Sequence, residues 1–155
     1  MASKKEIQDK VQRILAKNYS VRLGPDEDYM LKSGSTFVNV SVKDPVFSPT
    51  TKEEDAYYVR VYAPLLDDVE ASNELFEYVS TAGLGGLVGL SLSLQENPSN
   101  PGHYALILGS TILGNFLDED ELVNAVTICG YVADQNDDDL ASMFGGSVIN
   151  PDGNY

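Results

Sequence analysis

After Arg60 the chain has no lysine and no arginine, although its last ninety-five residues carry fifteen Asp and Glu. A surface without cations cannot neutralise phosphate by side-chain charge, which argues against nucleotide, nucleic-acid and anionic-membrane binding. Cysteine occurs once, at Cys129, so an internal disulfide is excluded. Histidine also occurs once, at His103. A zinc site would need Cys129 and carboxylates to converge on that one imidazole, so no metal is expected. No run of about eighteen apolar residues exists, and no membrane-spanning helix is expected. The longest apolar stretch, Leu84–Leu94, is interrupted by Gly85, Gly86, Gly89, Ser91 and Ser93. The opening MASKKEIQDKVQRIL is charged where a signal peptide needs apolar residues. A cytoplasmic protein is the expectation, and the N-x-S sequons at Asn18 and Asn39 are read as chance.

What is present points to a folded core. With 155 residues, 43% of them hydrophobic, the chain suits one domain, expected over residues 1–146 with a flexible tail at 147–155. The net charge is −14, and it is divided unevenly: residues 1–22 sum to +4 and the remainder to −18. Enough Leu, Ile, Val, Tyr and Phe accompany this charge for it not to imply disorder.

Ile7, Val11, Ile14 and Leu15 recur at helical spacing among lysines and arginine, and Ser3 with Glu6 forms a capping-box pattern. An amphipathic helix with a basic polar face is predicted, ending near Asn18. Asp28–Lys32 and Thr36–Lys43 alternate as strands around the turn Ser33-Gly34-Ser35. Residues 44–55, with Pro45 and Pro49, read as a surface loop. Ala56–Ala63 is a strand in which Tyr58, Arg60 and Tyr62 share one face, and Pro64 is expected to end or bend it. Ser72 caps a helix over Asn73–Ser80, broken by the glycines from Gly83. Leu87–Leu94 and His103–Leu113 form an antiparallel pair, and Asp118 caps a helix over Asp118–Ala133. The apolar set of that last helix, extended by Val123, Ile128 and Tyr131, is wider than one core-facing stripe. Such a helix is either sandwiched in the core or covered by another subunit. A short turn or helix is expected at Asp137–Phe144. Grouped antiparallel strands separated by helices give an α+β fold, not a doubly wound parallel sheet.

Motifs that suggest chemistry fail on inspection. Gly83-Leu84-Gly85-Gly86-Leu87-Val88-Gly89 has Val88 where a dinucleotide-binding turn needs its third glycine, and it runs from helix to strand. No lysine follows to make a P-loop, so no cofactor is expected. Asp134-x-Asn136-x-Asp138 copies three positions of a calcium loop, but Asp139 replaces the turn glycine and Gly145 the bidentate Glu. The segment reads as a solvated turn. Asp118-Glu119-Asp120-Glu121 could pair carboxylates for acid–base work, yet at a helix start such residues satisfy free amides and the dipole. His103 has no nucleophile signature beside it, and Cys129 reads as a small buried core residue. No catalytic residue is predicted. The tyrosines offer another reading: Tyr58 and Tyr62 on one strand face, beside an acidic rim, suit a partner-binding surface.

The segments YVRVYAPLLDDVEASNELFEYVS (58–80), ALILGSTILG (105–114) and DEDELVNAVTICGYVADQNDDDLASMFGG (118–146) resemble the YbjN family. Its members are described as bacterial sensory transduction regulators and grouped with type III secretion chaperone-like folds. The likeness lies in a strand ending V-R-V-x-A-P, a short helix, two strands, an acidic capped helix start and a closing F-G-G. It implies an α-β-β-β-α-β-β-α domain, often dimeric, with no catalytic residues to carry over. The expectation is a non-enzymatic acidic protein-binding domain, chaperone-like or regulatory. Its partner would be another protein, basic or an unfolded effector segment, held through Tyr58, Tyr62, Val123, Ile128 and Tyr131, with a homodimer expected. The alternative is a DNA-mimicking acidic inhibitor of a basic nucleic-acid-binding protein.

Overall fold

A computed structural model describes residues 2–24, 27–45, 57–82 and 89–149. The first helix, α1 (Lys4–Asn18), starts at the predicted capping box: the Ser3 amide donates to Glu6 Oε2 at 2.6 Å and the Glu6 amide to Ser3 Oγ at 3.3 Å. Its Ile7, Val11, Ile14 and Leu15 are all buried, as the 3.6-residue period requires. There follow β1 (Val21–Leu23), β2 (Tyr29–Ser33), β3 (Thr36–Lys43), β4 (Tyr58–Glu70), α2 (Asn73–Thr81), β5 (Ser91–Glu96), β6 (His103–Leu113), α3 (Glu119–Phe144) and β7 (Ser147–Val148). The fold is α+β, and every strand pairing among the described residues is antiparallel.

The sheet runs β1-β2-β3-β4-β6-β5, with β7 added on β4. One face carries Val38, Val40, Val59, Val61, Leu106 and Leu108, all at most 1% exposed. All three helices lie against this face. Gly130 of α3 meets Val38, and Cys129 Sγ points at the Leu108 carbonyl. The hydroxyl of Tyr29 reaches the Gln8 carbonyl of α1, and Phe76 of α2 stacks edge-on against Tyr104 with centroids 5.7 Å apart. The helices therefore form one layer and the sheet the other. Burial of the inner side chains is the main stabilising contribution.

Several expectations are corrected. Of the two outcomes expected at Pro64 the strand does not end but becomes irregular: β4 continues to Glu70, with register shifts between Pro64 and Leu66 and again before Val69. The irregularity absorbs the missing Pro64 N–H, as a bulge can. Because β3 pairs only as far as Tyr62, the next part of β4 has an open side. β7 occupies it, pairing Leu66 with Val148 and Asp67 with Ser147. Residues 147 and 148 are thus strand, not flexible tail; residues 150–155 lie outside the described residues. The last helix does not stop at Ala133. It continues through the acidic segment to Phe144 and ends on Gly145 at φ 74°. β1 is an additional short strand. β5 begins at Ser91, while positions 83–88 and most of the expected loop at 44–55 lie outside the described residues.

The tip of the β2–β3 hairpin is clamped on α3. The Ser35 amide and hydroxyl donate to Asp134 Oδ1 at 2.6 and 2.7 Å, and the hydroxyl lies 3.4 Å from Asp137 Oδ2. Gly34 takes φ 58° at the turn, and Gly130 lets Ser33 sit directly on the helix.

Candidate functional site

Chemistry-bearing residues are mostly committed to structure. Asp118 caps α3, its Oδ1 accepting from the Glu121 amide at 2.7 Å. Glu119 accepts from Lys17 at 2.7 Å and from Asn18 at 3.2 Å, which lowers its carboxyl pKa. This contact seats the basic α1 on the start of the acidic α3. Tyr19, just after α1, adds bonds to the Val123 carbonyl at 3.2 Å and to Thr127 at 3.0 Å. Asp134 and Asp137 lie within a helix, where they cannot form a calcium loop. Hydrogen bonds from Ser35 hold Asp134 below the usual carboxylate range, whereas burial raises Asp137. Cys129 is buried, and burial pushes its thiol up to about 12. Among the described residues no group of three or more His, Cys, Asp or Glu is placed to hold a metal ion, and no helix is long and apolar enough to cross a membrane.

The five residues expected to bind a partner do not form one site. Tyr58 and Tyr62 lie on the outer face of the sheet, away from the helices. Val123, Ile128 and Tyr131 belong to α3 in the opposite layer. There Val123 is half-buried beside Tyr19, while Ile128 and Tyr131 are 46% and 66% exposed and point away from the core. The wide apolar stripe of α3 thus divides into a buried face, shoulders at Val123, Ala125 and Val132, and two projecting side chains.

The outer sheet face has a composition that the linear sequence conceals. Strand register places Asp28 flanking Ser41, then Arg60 and Thr111 in one row. The adjacent row holds Arg22, Met30, Asn39, Tyr62 and Gly109; Lys32 and Phe37 form part of a third; Lys43, Tyr58 and Leu113 make a fourth. Arg60 stacks over the Tyr62 ring at 4.9 Å, a cation–π contact. The Tyr62 hydroxyl donates to Asp28 Oδ2 at 2.7 Å, and Lys43 Nζ lies 3.5 Å from Oδ1 of the same carboxylate. Asp28 is 8% exposed. Residues 21–23, 29–33, 36–43, 58–66, 91–95 and 103–113 contain no Asp or Glu, yet they include Arg22, Lys32, Lys43 and Arg60. The tyrosine face thus carries cations on β1–β4, while the acidic residues Asp67, Asp68 and Glu70 follow at the end of β4 and Glu96 ends β5.

Alternation within each strand, visible in the sequence, pairs Arg60 with Tyr62. Their grouping with Lys32, Lys43 and Asp28 depends on register across three strands, which local sequence does not specify. A concavity of about 370 Å³ lies in the helix layer between α2 and α3, lined by Tyr78, Thr81, Leu92, Leu108, Asn136 and Leu140 among others. It is apolar in its floor and polar at Thr81 and Asn136. In comparisons with known proteins, no family model and no curated protein matches the chain.

Proposed function

We propose that this chain is a non-catalytic protein-binding domain, chaperone-like or regulatory, and that it acts as a homodimer in a bacterial cytoplasm. The observation that carries this reading is the one-sided sheet. Among the described residues three helices cover one face, while the other presents half-exposed Phe37, Tyr58, Arg60 and Tyr62 on an antiparallel platform. Aromatic side chains and arginine are the residues most enriched where proteins meet proteins. The helix–strand order also agrees with the one implied by the YbjN resemblance once the short β1 and β7 are set aside. Ile128 and Tyr131 supply the dimer contact in this proposal.

The DNA-mimic reading has less support. Phosphate mimicry needs solvated carboxylates, whereas Glu119 is held by Lys17 and Asp134 by Ser35. Affinity capture from the source cytoplasm tests the binding reading, comparing the native chain with Tyr58→Ala/Tyr62→Ala and with Tyr131→Ser. A partner retained by the native chain and lost only from the double sheet variant supports it. Identical captured sets for all three proteins refute it. Light scattering checks the dimer, which a strict monomer at every concentration would remove.

A further inference from the structure

Building on that protein-binding reading, we infer that the outer sheet face takes a carboxylate-rich, partly apolar polypeptide segment from another protein. The argument is charge placement. A chain of net charge −14 has kept β1, β2, β3 and the first half of β4 free of carboxylates, leaving Asp67, Asp68 and Glu70 to the far end of β4 and Glu96 to the end of β5, and set four of its ten cations, Arg22, Lys32, Lys43 and Arg60, on one face. The single carboxylate among them, Asp28, is buried and already receives Tyr62 and Lys43. The part of the face built by β1, β2, β3 and the start of β4 is therefore cationic, and it is also greasy, with Tyr58 beside Leu113, which is 53% exposed.

The dimensions suit an extended segment. Lys32 and Arg60 are two strands apart and offset by four residues along β3. That places them roughly 16 Å from each other, given strand spacing near 4.8 Å and a rise of about 3.3 Å per residue. An extended chain covers this span in about five residues. Acidic side chains at its two ends would meet the cations, and apolar ones between them would lie on the aromatic rings.

The acidic helix layer does not cancel this attraction. α3 contributes Glu119, Asp120, Glu121, Asp134, Asp137, Asp138 and Asp139, all behind the sheet. Layers pack roughly 10 Å apart, beyond the screening length of about 8 Å at physiological salt. A bound segment then senses mainly the local cations. At very low salt the rear acids act at longer range and repel it. Affinity is expected to peak at intermediate ionic strength, whereas a simple ion-exchange contact weakens monotonically as salt rises. A nucleic acid is the less favoured anion, because its continuous phosphate charge extends past the face and meets the net negative body.

Fluorescence anisotropy on the full chain tests this with three labelled peptides of one length and one Leu/Phe pattern, spaced by Glu, Gln or Lys, and with an oligodeoxythymidylate as competitor. The Glu peptide should bind about tenfold more tightly than the Gln peptide, a difference of about 1.4 kcal/mol. Lys32→Glu/Arg60→Glu should erase that preference, and Lys32→Gln/Arg60→Gln, which introduces no repulsion, should reduce it. Ile128→Ser/Tyr131→Ser should leave it unchanged; circular dichroism checks each fold. Equal binding of the Gln or Lys peptide, no effect of charge removal, or displacement by the oligonucleotide at lower concentration overturns the inference. So does failure of all three peptides to bind. In any of these cases the capture experiment above still judges the broader reading: a partner lost from Tyr58→Ala/Tyr62→Ala keeps the face as a protein-binding surface with a different chemistry.

Discussion

Replacing Gly130 by alanine sets two effects of opposite sign against each other. In an exposed helix the change should stabilise by about 1 kcal/mol, because glycine is the poorest ordinary helix former. Here the new methyl would land on the Ser33 side chain and stand 3.1 Å from Val38 Cγ2. Ser33 ends β2 and is fixed by pairing with Thr36, so it cannot yield without moving the hairpin tip. Overpacking of this kind costs about 1–3 kcal/mol. The expected balance is a loss of about 1 kcal/mol, seen as a fall in Tm of about 2–4 °C for a chain of this size. The double variant Ser33→Gly/Gly130→Ala supplies the control, since Ser33→Gly removes the atoms in the way. In that background the alanine should stabilise by about 1 kcal/mol, giving a coupling near 2 kcal/mol in thermal or urea unfolding. A rise in Tm for Gly130→Ala alone would refute the close hairpin–helix contact.

Asp134→Ala should destabilise by about 1–2 kcal/mol and speed hydrogen exchange at the Ser35 amide; the half-exposed site holds the cost below the full value for a bond to a charged group. Asp137→Asn should do the reverse at neutral pH. Burial raises the Asp137 pKa, so the stability linked to its neutral form is present below the ordinary Asp value and lost as pH rises through the native one. Urea midpoints should show the variant more stable near pH 7, with the gain fading toward about pH 4. Asp134 has the opposite sign: its ionised form stabilises above the ordinary Asp value, and this is lost as pH falls through its lowered native pKa. Cys129, with its thiol pushed up to about 12, should react with maleimide no faster than the chain opens; rapid labelling of the native protein would contradict its burial.

Local pattern carried most of the elements. The capping box of α1, the turn at Ser33-Gly34-Ser35 and the strand periods are short-range signals, and α1, β2, β3 and β6 fall within a residue or so of where those signals place them. The acidic run after Ala133 misled because Asp and Asn compete with the backbone for hydrogen bonds and so read as turn residues. They remain helical here because Asp134 finds its acceptor role in Ser35, ninety-nine residues away in sequence. β7 was likewise invisible, since a two-residue strand exists only where β4 leaves a side unpaired.

The candidate face divides the same way. Sequence alone determined the charge imbalance, the core-facing stripes and the alternation that sets Arg60 beside Tyr62 on β4. Only the tertiary structure decided that Lys32, Lys43 and Arg60 share a surface while the carboxylates of α3 lie behind it. Alternation assigns each strand a pair of faces, but pairing and register choose which strands become neighbours, and those are settled by burial of the whole core at once.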